Sequence, residues 1–243
     1  MYRFYCPEAD FTKFSVTIKD PHEVHHIKDV LRLKSGAKVQ IFNACSQQAQ
    51  AVIEEAGEGF IQARVEAVEE IRQEAGRIIL ACAPPKKGKF EFIIEKCTEL
   101  GVDEIIPLKT KRTEVVFSPD KWQSKAGRFK AVAVNAAKQS KRTKVPLIHP
   151  MTMLVDALKA LPSGGLPLFP SLHHHPCHIT EALAEAGGQK PVTIFIGPEG
   201  DFTADELDLA VKYGCLPVSL GSTVLKVETA AIVCVALVKF NLR

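Results

Sequence analysis

The chain has no long apolar run. No stretch of 18 consecutive apolar residues occurs among its 243 residues, and the most apolar segment, Ala230 to Val238, is half that length. A membrane-spanning helix needs about 20 such residues, so this segment predicts a buried helix. The N-terminal residues Met1 to Phe4 lack the apolar core of a signal peptide. Together these absences predict a cytoplasmic protein.

Motifs for metal and phosphate binding are also missing. The seven cysteines are scattered and form no CxxC pair, which disfavours structural zinc and favours reduced thiols. The run from His173 to His178 is rich in histidine, but adjacent histidines on one loop rarely converge on one ion. We therefore expect no metal site. Neither a G-x-G-x-x-G fingerprint nor a Walker lysine motif is present, which disfavours dinucleotide and nucleoside-triphosphate sites.

Charge is distributed unevenly along the chain. Residues 77–144 contain 16 basic and 7 acidic residues, a net charge of +9, whereas residues 1–76 and 145–243 each have a net charge of −3. A basic block between acidic flanks is typical of a surface that binds a polyanion. The charge pattern alone therefore predicts RNA or DNA as a partner.

Residues 1–72 form the first predicted domain, a small β-rich unit. Alternating or apolar runs predict strands at Phe14 to Ile18, Lys38 to Asn43, Ala49 to Ile53 and Phe60 to Val68. One helix interrupts them: Asp20 and Glu23 are spaced as a capping box, with Pro21 at the first helical position. Short strands with a single helix predict a compact barrel. The polar stretch Glu69 to Gly76 is the expected linker.

Residues 73–243 form the second predicted domain, in which strands alternate with helices. The expected strands are Ile78 to Ala83, Asp103 to Leu108, Leu166 to Phe169, Val192 to Ile196 and Cys215 to Leu220. The expected helices are Phe90 to Leu100, Pro119 to about Lys141, and Ala204 to Tyr213. This alternation predicts an α/β domain with a parallel sheet covered on both faces.

Two glycine-bearing loops follow strands of this second domain. The first, Ile196 to Gly200, precedes a helix start in which Thr203 and Glu206 are spaced as a capping box. The second runs from Leu220-Gly221 to Ala230. Ligands of open α/β sheets bind beyond the carboxyl ends of the strands, so the two loops predict one pocket. Without a phosphate motif, the ligand is expected to be neutral or cationic with an adenine-sized apolar part.

Across nearly its full length the chain resembles the ribosomal small-subunit methyltransferase E family, of the SPOUT class of knotted methyltransferases. The residues that carry the resemblance are Ile27 to Gly36, Ile94 to Val102, Arg112, Gln139 to Arg142, Gly197 to Phe202, Leu220-Gly221 and Glu228 to Ala230. The resemblance implies an N-terminal PUA-like barrel that docks RNA and a C-terminal α/β domain with a deep trefoil knot. It also implies a homodimer, with no membrane or DNA partner.

The resemblance further implies methylation of N3 of a uridine in 16S ribosomal RNA, as free RNA or in the 30S subunit, with S-adenosyl-L-methionine as the donor. The expected donor-binding residues are Phe169, Pro170, Gly197, Glu199, Gly200, Leu220, Gly221, Leu225, Val227, Thr229 and Ala230. Arg112 and Arg142 are candidates to hold phosphate or a uracil oxygen, and Gln139 could contact the uracil edge. Glu228 is the candidate base for the N3 proton.

The chain departs from the family pattern at several positions. Asp201 stands where glycine is usual, Lys138 where an acid is usual, and Lys226 where arginine is usual. Residues 222–224, Ser-Thr-Val, replace a Pro-Arg-Ile-like run. These departures leave open an RNA-binding ribosome-assembly factor with the same fold and little turnover. An unrelated nucleotide-binding enzyme is a third alternative.

Overall fold

The computed structural model describes residues 1–69, 76–171, 176–186 and 190–242. The chain divides into two compact units, the first of residues 1–73 and 137–145 and the second of residues 74–136 and 146–243. Most of the expected linker, residues 70–75, lies outside the described residues. The first unit therefore includes a short segment from the middle of the chain, which nothing in the local sequence pattern indicates.

The first unit contains one five-stranded sheet. Its strands are β1 (Tyr2–Tyr5), β2 (Ser15–Ile18), β3 (Lys38–Phe42), β4 (Gln48–Ala56) and β5 (Ile61–Glu69). They lie in the order β1-β3-β4-β5-β2, with β1 and β3 parallel and the other pairs antiparallel. The four strands predicted from alternation are confirmed. The first strand was not predicted, because four residues are too few to show a clear period.

The predicted helix of the first unit is confirmed at its start but is shorter than expected. Helix α1 spans Pro21–His25 and continues as a π-helical turn over His26–Val30. The Asp20 side chain accepts hydrogen bonds from the backbone N–H groups of His22 (2.9 Å) and Glu23 (3.1 Å). The second half of the predicted capping box is wrong. The Glu23 carboxylate accepts from the Lys138 ammonium instead, because a charged donor forms a stronger hydrogen bond than a backbone amide.

An apolar core fills the first unit on one side of the sheet. Fully buried side chains from the strands and from the π-helical turn meet there, among them Phe4, Ile18, Ile27, Ile41 and Ile61. The alternation of buried and exposed residues along β2 and β3 is the pattern expected of strands with one covered face. Burial of these apolar side chains is the main force that holds the unit together.

The second unit is built on a parallel sheet. Its strands are β6 (Ile78–Cys82), β7 (Glu104–Lys109), β8 (Leu147–Ile148), β9 (Thr152–Met153), β10 (Leu166–Pro170), β11 (Cys177–His178), β12 (Val192–Ile196) and β13 (Leu216–Ser219). The order is β11-β13-β10-β12-β6-β7-β8, with β9 paired to β7. Every residue of the central strands β6 and β12 is buried, as expected for strands covered on both faces. The predicted parallel α/β architecture is confirmed, while the trefoil knot stays a prediction.

Helices alternate with these strands. They are α2 (Lys89–Leu100), α3 (Pro119–Gln139), α4 (Leu154–Lys159), α5 (Ile179–Ala186), α6 (Ala204–Lys212) and α7 (Val227–Asn241). Gly101 ends α2 with a φ of 108°, which glycine adopts without strain. The predicted capping box of Thr203 and Glu206 is confirmed at the start of α6. Helix α7 packs against α2, β6 and β12, as its apolar composition predicts.

Two expectations about the whole chain can be compared with the structure. All seven cysteines are free thiols, as their scattered positions predict. In the part of the chain that the structure describes, no helix combines the length and the apolar character needed to cross a bilayer.

Candidate functional site

Three neighbouring strands of the second unit end at one edge of its sheet. Strands β10, β12 and β13 are parallel, and Leu168 of β10 is in register with both Ile194 of β12 and Leu216 of β13. The segments that follow these strands therefore begin side by side. A cavity of about 440 Å³ lies at this edge, a size typical of small-molecule sites.

Both glycine loops line this cavity, as predicted. The predicted donor-binding residues in its wall are Pro170, Gly197, Glu199, Leu220, Gly221, Leu225, Val227 and Ala230. Further residues complete the wall: Lys89, Ser171, Ile196, Pro198, Asp201, Thr223, Val224, Lys226 and Glu228. The wall combines apolar side chains with backbone groups at the strand ends, which is the usual character of a cofactor site.

Three predicted donor-binding residues do not line the cavity. Phe169 is only 1% exposed, and its ring centroid lies 4.1 Å from that of Phe202 and 5.6 Å from that of Phe195. The expectation that Phe169 forms a wall needs correction, because its side chain points into the core beneath the strand end. Gly200 and Thr229 lie next to lining residues without being part of the wall themselves.

Contacts from other elements hold the first glycine loop. The Arg112 guanidinium donates a hydrogen bond to the Gly200 carbonyl (2.6 Å), and the Glu199 carboxylate accepts one from the Lys86 backbone N–H (3.0 Å). A side chain at Gly197 would place its Cβ 3.0 Å from the Phe202 ring, so any larger residue would require the buried ring to shift. The loop is therefore shaped before any ligand binds.

Asp201, which stands where glycine is usual in the family pattern, has a backbone conformation that glycine adopts without strain. Its φ is 58°, in the left-handed region. Aspartate is among the few non-glycine residues that adopt this region, since its short side chain can hydrogen-bond locally. Here the Asp201 carboxylate accepts from the Phe202 backbone N–H (2.7 Å). The Asp201 side chain therefore supports this conformation locally.

The second glycine loop is held mainly by its own residues. Gly221 has a φ of 110°, and its backbone N–H donates a hydrogen bond to the Ser219 hydroxyl oxygen (3.1 Å). Val224 is 83% exposed at the rim of the cavity. Lys226 is the N-cap residue of α7, with an extended backbone. The loop therefore depends on the conformational freedom of Gly221.

An ion pair lies in the wall of the cavity. The Lys89 ammonium lies 2.5 Å from the Glu228 carboxylate, and the Glu228 side chain is 15% exposed. The hydrogen bond from Lys89 is the main cause that lowers the pKa of Glu228 below its ordinary value. The ion pair with Lys89 and the lowered pKa both make the Glu228 carboxylate a weaker proton acceptor, and its role as a base stays a prediction.

Sequence reasoning missed Lys89. The basic run at residues 84–89, Pro-Pro-Lys-Lys-Gly-Lys, lacks the spacing of a phosphate loop and so gives no motif that marks Lys89. The available signal was its position: Lys89 follows the loop after β6 and is the first residue of α2, at the same edge of the sheet as the two glycine loops.

The four predicted catalytic residues are divided between the two units. Arg112 and Glu228 belong to the second unit, where Arg112 contacts the first glycine loop and Glu228 lines the cavity. Gln139 and Arg142 belong to the first unit, at the end of α3 and in the turn after it. The structure thus brings two of the four together around the cavity edge.

Neither cysteine nor metal chemistry is indicated here. Burial raises the pKa of Cys82 and Cys97, and raises that of Cys234 to about 12, so these thiols are poor nucleophiles. No cluster of three potential metal ligands exists within the residues that the structure describes. Residues 173–175 of the histidine-rich run lie outside the described residues.

Comparison with known proteins relates this architecture to RNA methyltransferases. A family model described as an RNA methyltransferase domain matches residues 72–239, and one described as an RNA methyltransferase PUA domain matches residues 18–66. A ribosomal RNA small subunit methyltransferase E from Rickettsia conorii is 30% identical over 92% of this chain and 89% of its own. Its counterpart from Synechocystis is 30% identical over 97% and 76%.

A solved structure agrees with these sequence relatives. The crystal structure of a ribosomal RNA small subunit methyltransferase E from Neisseria gonorrhoeae, bound to S-adenosyl methionine, superposes with a TM-score of 0.87 and 25% identity. It covers 99% of this chain and 97% of its own. Both parts of the fold are therefore those of the relatives. Since a domain model matches more than half of the chain and a relative 30% identical spans nearly all of it, the chain belongs to the ribosomal RNA small subunit methyltransferase E family of RNA methyltransferases.

Proposed function

We propose that the protein transfers a methyl group from S-adenosyl-L-methionine to N3 of a uridine in the 16S RNA of the small ribosomal subunit. The observation that carries the proposal is the single cavity formed by both glycine loops at the edge of the parallel sheet. Family membership supports the RNA methyltransferase activity. The assignment of N3 as the methylated atom of the uridine rests on the family resemblance.

The cavity fits the proposed donor. Its volume of about 440 Å³ suits a nucleoside-sized ligand, and Leu225 and Val227 supply apolar wall for an adenine ring. Backbone groups of Gly197 and Gly221 are accessible because no side chain covers them. When bound, the donor supplies an activated methyl group on a sulfonium, so much of the rate comes from positioning the acceptor.

The acceptor nitrogen carries a proton that must leave during the reaction. Because the pKa of Glu228 is lowered, we assign this carboxylate to holding Lys89 rather than to removing the proton. Lys89 is then placed to stabilise the deprotonated imide through a uracil oxygen, in the manner of other cationic sites for developing negative charge. The proton itself passes to solvent. Arg112, whose Nη1 donates hydrogen bonds to the Gly200 and Phe202 carbonyls, holds the loop beside the pocket.

A homodimer through the second unit and a cytoplasmic location complete the proposal. Helix α7 buries one side, while Ile232, Val233 and Leu237 on its other side are half-buried and Phe240 is 61% exposed. An apolar helix face of this kind is typical of a subunit interface. Sedimentation equilibrium should give twice the chain mass of 26.6 kDa, and a monomer at micromolar concentration would contradict the dimer.

One assay tests the reaction. Purified protein is incubated with labelled S-adenosyl-L-methionine and with 16S RNA or 30S subunits from cells that lack the modification. We expect transfer of the label to a single uridine, whose N3 is protected from carbodiimide. Donor binding without transfer to either substrate would overturn the proposal and favour the assembly-factor alternative.

A further inference from the structure

A basic turn from the middle of the chain is part of the first unit. Residues 137–145 contain Lys138, Lys141, Arg142 and Lys144 and no acidic residue. Residues 1–73 contain 9 basic and 11 acidic residues, a net charge of −2. With the turn included, the unit has a net charge of +2. The turn therefore supplies the positive charge of a unit whose own sequence is acidic.

A buried ion pair fixes the start of the turn. The Lys138 ammonium lies 2.8 Å and 3.0 Å from the two Glu23 carboxylate oxygens. The side chains are only 11% and 9% exposed, and the ammonium also lies 5.6 Å from the centroid of the Phe4 ring. Lys138 is thus directed into the first unit, so its charge is compensated there.

A buried arginine contacts the turn at two points. Arg3 is 8% exposed and donates hydrogen bonds to the backbone carbonyls of Arg142 (3.2 Å) and Ala137 (3.5 Å). It also donates to the Gln48 side chain (3.0 Å), and its guanidinium lies 4.9 Å above the Phe42 ring. The two carbonyls belong to the first and sixth residues of the turn, so one side chain sets its span.

These buried charges position the turn more than they stabilise the unit. Removing two charges from water costs several kcal/mol, which the attraction between them offsets only in part, so such pairs are weak sources of net stability. What they provide is one defined geometry, since any other placement leaves a buried charge unpaired. In that geometry Gln139, Lys141 and Lys144 are exposed on the surface of the unit.

We propose that Arg3, Glu23 and Lys138 are positioning residues that hold Gln139 to Lys144 as a preformed docking surface for RNA. The proposal rests on the proposed function for the identity of the polyanion. Exposed cations at fixed spacing bind phosphates with less ordering cost than cations on a mobile loop. Lys138, which departs from the family pattern, then acts through Glu23 and does not itself contact phosphate.

The variant Glu23→Gln tests the proposal, because a purely electrostatic role and a positioning role of Glu23 predict opposite changes in RNA affinity. Removing a negative charge next to an RNA-binding surface should by simple electrostatics strengthen RNA binding. If Glu23 holds the turn, the same change should weaken binding of full-length protein to unmodified 16S RNA by about tenfold. The slope of log K against log salt should become shallower by about 0.7 to 0.9 for each lost phosphate contact.

The chain offers a matched control. Asp10 and Lys13 form an exposed pair in the same unit, 3.8 Å apart, with side chains that are 47% and 73% exposed. Asp10→Asn removes the same charge without releasing a buried partner, so RNA affinity should stay the same or rise slightly. Affinity for S-adenosyl-L-methionine, measured by calorimetry, should be unchanged in both variants, and only Glu23→Gln should raise the KM for RNA.

If the Glu23→Gln protein does not fold, a variant that exchanges the charges of Glu23 and Lys138 still tests the proposal. The double variant Glu23→Lys with Lys138→Glu retains a buried pair and should restore RNA affinity to within about threefold of the wild type, since the exposed residues of the turn are unchanged. RNA binding by Glu23→Gln that is equal to or tighter than the wild type would overturn the proposal, as would a folded double variant that binds RNA weakly. Failure of the wild type to methylate RNA would instead count against the proposed function.

Discussion

The two glycine loops that line the cavity are held in different ways. Groups from distant parts of the chain hold the first loop: the Arg112 guanidinium donates to the Gly200 carbonyl, and the Lys86 backbone N–H donates to the Glu199 carboxylate. The second loop is held by a hydrogen bond between Ser219 and Gly221, two positions apart in the chain, and by the positive φ of Gly221. A loop held from outside tolerates a changed residue such as Asp201, whereas a loop held from within depends on its own glycine.

The largest expected effect is that of Gly221→Val. Its Cβ would meet no atom within 4 Å, but a φ of 110° is a conformation that valine rarely adopts. Backbone strain of about 1–3 kcal/mol would be relieved by reshaping the loop, so affinity for S-adenosyl-L-methionine should fall by about 100-fold or be lost. Isothermal titration calorimetry measures this directly.

Gly127→Ala is the control for that substitution. Gly127 lies inside α3 with open space around its Cβ and no positive φ, so alanine should leave donor binding unchanged and stabilise the helix by up to about 1 kcal/mol. Wild-type donor affinity in folded Gly221→Val protein would show that the second loop does not form the pocket.

An intermediate effect is expected for Arg112→Ala. Loss of its hydrogen bond frees the Gly200 carbonyl and loosens the loop that is held from outside. A hydrogen bond from a charged donor contributes about 1.5–3 kcal/mol when shielded, and Arg112 is exposed, so donor affinity should fall by about tenfold.

Arg128→Ala provides the comparison for Arg112. Arg128 is 69% exposed and pairs with Glu91 (2.8 Å) in the same unit, so its removal changes the net charge equally without touching either loop. Donor affinity should be that of the wild type. Equal donor affinities in the two variants would mean that Arg112 is not needed to hold the loop.

The smallest effect is expected for Glu228→Gln, and it depends on pH. The folded-state pKa of Glu228 is lowered, so the stability it contributes is present above its ordinary pKa of 4.5 and is lost as the pH falls through the lowered value. The melting temperature of the variant should therefore lie about 2–4 °C below that of the wild type near pH 7, and the gap should narrow as the pH falls through the lowered pKa of Glu228. A gap that is the same at all pH values would rule out the Lys89 ion pair as its cause.

Local patterns predicted the elements that carry the loops. Apolar runs predicted the strands before Gly197 and Gly221. The strand before Gly197 is buried throughout, because central strands of a parallel sheet have both faces covered, whereas only Val218 is buried in the strand before Gly221. The Thr203 and Glu206 spacing predicted the start of α6, because capping involves only neighbouring residues. The resemblance to a family, which several separated motifs carry together, then indicated the donor and the RNA.

Partners distant in sequence could not be predicted in this way. The sequence by itself determined the strands, the helix starts and the glycines of both loops, since each depends on residues a few positions apart. Only the tertiary structure decided that Glu23 pairs with Lys138, that Phe169 packs in the core, and that Lys89 faces Glu228. The physical reason is that the partner of a charged or aromatic side chain depends on which residues folding brings next to it. Glu23 and Lys138 are 115 residues apart and Lys89 and Glu228 are 139 apart, so no local sequence pattern indicates either pair.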